Sequence, residues 1–259
     1  MDQRERILVI KLGALGDVVL ALGPFAAIRD HHPNAHITLL TTAPYAGFLA
    51  ACAWFDEVWT DERPSVLQPS KWLALRSKLR AGDFARVYDL QTSDRSGWYF
   101  RLLGPGQRPK WSGIVRGCSH PHDNPRRDFM HSIERQAEQL AAAGIQNVPD
   151  TDLSWVEAEV AGFRLTDRYA LLVPGGAPHR PAKRWPAEFY GALARSLAAN
   201  SVEPVILAGD GEAGIGAAVA GSVPTARNLA GATSLAQIAV LARGAAFAVG
   251  NDTGPMHMI

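Results

Sequence analysis

Short apolar runs alternate with amphipathic stretches along the whole chain. RILVIK (6–11) is β-branched and apolar and predicts a first strand. A Gly-containing loop leads from it into a helical stretch from 17 to about 31. HITLLT (36–41) predicts a second strand, APYAGFLAA a short helix and DEVWT a third strand. A basic helix follows over roughly 70–82, then a strand at RVYDL (86–90), a helix over 95–103 and a strand at KWSGIV (110–115). Residues 116–128, rich in Gly, Pro, His and Arg, read as a loop, and 129–143 as a helix stopped by Gly144 at C′.

Residues 145–167 lose this periodicity, and the pattern then restarts. YALLVP (169–174) is a strand, PGGAPHRPAKRWP (174–186) a Gly/Pro loop, and 187–199 a helix. PVILAG (204–209) is a strand, followed by short helices near 211–220 and over 235–242, a strand at FAVGN and a new helix starting near Pro255. Strand–helix alternation in both halves predicts α/β architecture with two doubly wound, Rossmann-like domains. The expected boundaries are a first domain at 1–150, a linker at 151–167 and a second domain at 168–259. The chain ends at MHMI, one turn into that last helix and without a cap, so the second domain is expected to be truncated.

Composition narrows the class. With 47% hydrophobic and 20% charged residues the chain reads as an ordinary globular protein. Two cysteines, Cys52 and Cys118, argue against a disulfide framework and for a reducing compartment. MDQRERILVIK lacks the apolar core of a signal peptide, and no apolar run reaches the roughly 18 residues of a membrane span. A cytoplasmic location is expected. The net charge of +1 hides an asymmetry: residues 63–127 carry 13 Lys/Arg against 4 Asp/Glu, while the remainder sums to −8. Two readings fit, an anionic partner for that stretch or solvated arginines scattered on helices.

Three loops could carry chemistry. KLGALGD (11–17) joins a strand to a helix, and Gly13 and Gly16 let the backbone turn sharply near a ligand. Asp17 at the helix start suits either an N-cap or a reacting carboxylate. PGGAPHRPAKRWP offers Gly175 and Gly176, then His179, Arg180, Lys183 and Arg184 beside a helix N-terminus. That set suits a diphosphate, or is a solvated basic loop; it lacks the GK[ST] ending of a Walker loop. In GNDTGPMH (250–257), Thr253 and Gly254 place a hydroxyl and N–H groups at a helix start, with Asp252 and His257 nearby. His257 equally fits a structural role.

Other motifs weigh less. Gly209, Gly211 and Gly214 spell GxGxxG after a strand. The acid that should follow about 20 residues on is missing, and the strand is second in its unit, so an NAD-dependent oxidoreductase is disfavoured. Asp150-Thr151-Asp152 spells DxD in the linker with no supporting cluster, and the cysteines lack metal-ligand spacing. No metal is expected.

Taken together, ILVIKLGALGDVVL, PGGAPHRPAKRWP and LAGATSLAQIAVLARGAAFAVGNDTGPMH resemble family 9 of the glycosyltransferases, the ADP-heptose:lipopolysaccharide heptosyltransferases. The resemblance implies the GT-B fold: two Rossmann-like domains facing a cleft, acceptor on the first and nucleotide sugar on the second. It implies that Asp17 is the general base of an inverting, metal-independent transfer and that Lys183 neutralises the departing diphosphate. It places Gly176, Thr253, Gly254, Asp252 and His257 around the donor phosphates, Glu212 on the nucleoside and Thr233 near the adenine. Gly13, Gly16 and Arg116 fall on the acceptor side. No cofactor is implied beyond the ADP-sugar donor. The acceptor would be a phosphorylated or lipid-linked saccharide, with peripheral contact to the inner membrane and no nucleic acid partner. Many members carry Ser or Thr before the lysine where this chain has Pro178 and His179. The family also continues beyond the final histidine. The alternative reading from another class is a non-catalytic nucleotide-binding protein.

Overall fold

The computed structural model describes residues 4–104, 108–176 and 181–259. The chain divides into two compact units after Asp152.

The first unit contains β1 (Arg6–Ile10), α1 (Leu15–Val19), α2 (Leu22–His31), β2 (His36–Thr41), α3 (Ala43–Ala50), β3 (Glu57–Thr60) and α4 (Pro69–Ala81). It continues with β4 (Arg86–Asp89), α5 (Asp94–Leu103), β5 (Lys110–Gly113), β6 (His120–Pro121) and α6 (Ser132–Ala142). All strands are parallel, in the order β3-β2-β1-β4-β5-β6. Ile7, Leu8, Val9 and Ile10 are all buried, as both faces of a parallel sheet require. Leu8, Ile10, Leu40 and Val87 pack with Leu79, Tyr99 and Trp111 in the core.

The single helix expected from 17 to 31 is two. Pro24 has no N–H to offer the Leu20 carbonyl, so α1 ends at Val19 and α2 starts afresh at Leu22 with Ala21 as its cap. The helix expected over 129–143 is a 3₁₀ turn, Arg127–Phe129, followed by α6. Its stop is as the sequence indicates, with Gly144 at φ +97°. β6 lies inside the segment expected to be loop.

The second unit contains β7 (Tyr169–Val173), α7 (Ala187–Ala199), β8 (Glu203–Ile206), α8 (Ala213–Ala220), β9 (Arg227–Asn228), α9 (Leu235–Gly244) and β10 (Phe247–Gly250). These strands are also parallel, in the order β10-β7-β8-β9. Tyr190, Ala194 and Leu197 of α7 pack with Ala170, Leu172 and Ile206 of the sheet. The helix expected near Pro255 is a one-turn 3₁₀ segment, Gly254–His257. Residues assigned by sequence to the linker are tied into this unit: Gln237 Nε2 donates to the Glu159 carbonyl at 3.0 Å, and the Arg243 guanidinium donates to the carbonyls of Ser154 and Val156.

Both sheets are wound alike. In each, the first strand of the unit lies between the second and the fourth, so its chain order reverses there: at β1/β4 in one unit and at β7/β10 in the other. Ligands of open α/β sheets bind beyond the carboxyl ends of the strands at such a reversal. Three of the four loops leaving these strands are the loops singled out by sequence.

Candidate functional site

The loop after β1 is shaped by Gly13. Its φ is +133°, a region that side chains rarely enter, and a Cβ there would lie 2.9 Å from the Tyr45 ring. Gly16 is buried within α1. Asp17 stands in the first turn of α1, but Ala14 occupies the cap position and no side chain caps that helix. The N-cap role is therefore closed to Asp17. Its carboxylate lines a cavity of about 620 Å³ at the carboxyl end of the sheet, together with Gly13, Tyr45, Asp61, Arg63 and Gln91. Arg116 is exposed on the loop after β5 and is not among the residues lining that cavity. The cation on its wall is Arg63.

Three residues that sequence reasoning passed over hold this loop. The Leu12 N–H donates to Gln91 Oε1 at 2.8 Å, joining the exits of β1 and β4. Lys11 is buried, and its ammonium donates to the Leu90 carbonyl at 3.1 Å. Desolvation lowers its pKa to about 8, against the opposing pull of the Asp17 charge. Asp89 is 1% exposed, and its Oδ1 accepts the N–H groups of Gln91 and Thr92 at 3.1 and 2.9 Å. Burial raises its pKa to about 6, opposed by those hydrogen bonds and by Lys11. The signal available in sequence was a charged residue at each end of the β1 and β4 apolar runs.

The raised Asp89 pKa has a stability consequence. A carboxyl whose pKa rises from 3.8 to about 6 on folding stabilises the fold below pH 4. That contribution, of the order of 3 kcal/mol, is lost as pH rises to 6. Asp89→Asn keeps an oxygen for the Gln91 and Thr92 N–H groups and cannot ionise. Chemical unfolding of the wild type should therefore show a fall in stability between pH 4 and 6 that the variant lacks. A fall of equal size in both would remove Asp89 as its source.

In the second unit, the exits of β7 and β10 are bound together by Asn251. This side chain is buried. Its Nδ2 donates to the carbonyls of Pro174 (2.8 Å) and Gly175 (2.9 Å), and its Oδ1 accepts from the Trp185 N–H (2.9 Å) and the Tyr190 hydroxyl (3.1 Å). Sequence reasoning quoted Asn251 within its motif but gave it no role. Glu212 reaches the same loop: its Oε1 accepts from the Gly176 N–H at 2.6 Å and its Oε2 from the Gly209 N–H at 3.2 Å. A Cβ on Gly175 would collide with that carboxylate. The Arg184 guanidinium donates to the Gly176 carbonyl. Lys183 and Asp252 form an ion pair at 2.8 Å between the two loops, both side chains largely exposed. His179 and Arg180 lie outside the described residues.

Thr253 is the extended N-cap of the Gly254–His257 turn, and no side chain caps that turn. Thr253 and Gly254 are half-buried and His257 is exposed. Thr233 is half-buried just before α9, whose N-cap is Ser234. The structure thus joins Gly176 to Glu212 and Lys183 to Asp252 by direct bonds. GxGxxG follows β8, which lies between β7 and β9 and away from the reversal, so it lacks the setting of a dinucleotide fingerprint. Among the described residues no group of three or more His, Cys, Asp or Glu is arranged to hold a metal ion.

The family model described as glycosyltransferase family 9 (heptosyltransferase) matches residues 72–258. The chain belongs to glycosyltransferase family 9. A similar curated relative of this family 9 glycosyltransferase is lipopolysaccharide heptosyltransferase 2 of Salmonella typhimurium, 39% identical, with 98% of this chain and 79% of the relative covered. The crystal structure of a family 9 glycosyltransferase from Veillonella parvula superposes with a TM-score of 0.82 at 20% identity, covering 100% of this chain and 78% of that one. The Escherichia coli heptosyltransferase WaaC with ADP-2-deoxy-2-fluoro heptose superposes with a TM-score of 0.76 at 21% identity, covering 98% and 84%. These structures share the two-domain, Rossmann-like fold with the chain, the GT-B type expected from the sequence. No described helix of this family 9 glycosyltransferase is long and apolar enough to cross a membrane.

Proposed function

We propose that the protein transfers heptose from ADP-heptose to a saccharide of the lipopolysaccharide core, with inversion, at the inner face of the membrane. Asp17 takes the proton of the acceptor hydroxyl. The freed oxygen attacks the anomeric carbon, and the bond from that carbon to the diphosphate oxygen breaks with its electron pair leaving on ADP. Lys183, with Thr253 and the backbone N–H groups at the start of the Gly254–His257 turn, meets the charge that develops on the diphosphate, and Gly176 shapes the loop beside them. In this reading those groups, and no metal, supply the positive charge. Asp252 positions Lys183 until the donor arrives, His257 lines the same pocket, and Glu212 and Thr233 face the nucleoside. Gly13 and Gly16 shape the acceptor loop.

The observation that carries the reading is Asp17, a carboxylate uninvolved in capping, on the wall of a cavity large enough for a sugar at the chain reversal of the first sheet. The likeness to the Escherichia coli heptosyltransferase solved with ADP-2-deoxy-2-fluoro heptose supports the donor. The test is transfer from ADP-heptose to heptose-deficient core oligosaccharide, followed by mass spectrometry, with UDP- and GDP-sugars as controls. Product should form with the ADP donor alone. ADP binding without product from any donor would instead favour a non-catalytic nucleotide-binding protein.

A further inference from the structure

A second cavity opens on the first unit, lined by Pro64, Val66, Trp72, Arg95, Trp98 and Leu102 and enclosing about 480 Å³. Its surroundings are unusually bare for a water-facing surface. Val66 is 88% exposed, Leu67 87%, Leu73 63% and Trp98 54%. Val66 and Trp98 line the groove itself, and Leu67 and Leu73 follow the lining residues Val66 and Trp72 in the chain; exposed apolar side chains on the walls of an apolar groove call for a partner. The groove is ringed by cations. The Arg95 guanidinium sits over the Trp72 ring at 5.4 Å, and that of Arg101 over Trp98 at 4.9 Å. α4, which forms one wall through Trp72, carries Lys71, Arg76, Lys78 and Arg80 and no acid. Glu62 pairs with Lys71 at 2.9 Å. Across 63–103 eight Lys/Arg stand against three acids, of which Asp89 is buried.

Aliphatic and indole side chains surrounded by arginine and lysine match one kind of surface: apolar chains beneath a layer of anionic headgroups. Indole prefers that interface because one end is apolar and the other carries an N–H. Arg101, exposed and held against the Trp98 face, can turn its fork to phosphate oxygens. We infer that this face of the first unit docks on an anionic bilayer, with Val66, Leu67 and Trp98 entering the headgroup layer and Arg101 and the exposed cations of α4, Lys71, Lys78 and Arg80, meeting the phosphates. The inference rests on the proposed lipid-linked acceptor and deepens it. The segment that carries Val66 also carries Arg63, which lines the Asp17 cavity. Arg95 Nη2 donates to the Pro64 carbonyl at 3.0 Å, pinning that segment to α5. A docked patch therefore brings the mouth of the acceptor cavity to the headgroup level.

The test is co-sedimentation of the full chain with vesicles of phosphatidylcholine alone, and of phosphatidylcholine with phosphatidylglycerol, without donor or acceptor. Binding should be about tenfold stronger to the anionic vesicles and should fall as salt rises. V66D/L67D should lower that binding about tenfold while leaving the thermal unfolding midpoint unchanged, since both positions face water. R101E should act in the same direction. Equal binding to both vesicle types, no binding to either, or wild-type binding by V66D/L67D would overturn the inference. So would a dimer in sedimentation velocity that V66D/L67D converts to monomer, because the patch would then cover a second copy of the chain. Failure of glycosyl transfer leaves this measurement intact, because no transfer is involved in it.

Discussion

Replacing Asp17 with Asn is expected to lower turnover at least about 100-fold, with ADP affinity unchanged and stability altered by no more than about 0.5 kcal/mol. Asn has nearly the same volume and keeps one acceptor oxygen, so packing around α1 survives. It cannot take a proton. The structure sharpens this test because the competing explanation, a helix cap, is already filled by the Ala14 position. A loss of rate in Asp17→Asn therefore reports on chemistry and not on helix formation. Initial rates at saturating ADP-heptose, beside calorimetric ADP affinity, make the measurement. A rate within a few-fold of wild type would end the assignment of Asp17 as base.

The second large effect is expected from Lys183→Ala. The Lys183–Asp252 pair is mostly exposed on both sides, so it contributes less than about 1 kcal/mol to folding. Its removal should leave the second unit intact. ADP affinity should nevertheless fall about tenfold or more, and turnover by about 100-fold, because the charge growing on the leaving diphosphate loses its counter-ion. Asp252, on the loop after β10, keeps its negative charge beside the site and adds to the loss. Adenosine, which lacks the diphosphate, should bind both forms alike. Equal losses for adenosine and ADP in calorimetry would show that Lys183 acts elsewhere than on phosphate.

Much of the fold could be read directly from the chain. β1, β2, β4, β7 and β8 are apolar runs long enough to announce themselves, and the loops after β1, β7 and β10 stand out by their glycines. β6 and β9 escaped because each is a two-residue pairing, His120–Pro121 and Arg227–Asn228, created by the edge of the neighbouring strand and not by any preference of its own. The break between α1 and α2 escaped because the apolar spacing runs straight through it; only the missing N–H of Pro24 interrupts it. At the site, motifs named the residues that face a ligand but not those that fix the loops. Gln91 is about 80 positions from Leu12, and Asn251 about 75 from Pro174. Their bonds exist only once the fourth strand of each unit lies beside the first. Arg63, distant in sequence from every motif, reaches the Asp17 cavity because it follows β3, which pairs with β2 on the other side of β1.

The shared winding of the two sheets has a consequence for how such a protein can diversify. Asp17 and Lys183 occupy equivalent addresses, each in the segment leaving the first strand of its own unit, and an amide side chain helps tie each segment to the exit of the fourth strand: Gln91 beside the Lys11 bond to Leu90 in one, Asn251 beside the Lys183–Asp252 pair in the other. None of these stitches crosses from one unit to the other. In the proposed reading, the side chains that shape the acceptor loop and those that shape the donor loops thus belong to separate units, so an exchange of first-unit loops that keeps Gln91 and Gly13 is expected to leave the Asn251 bonds in place.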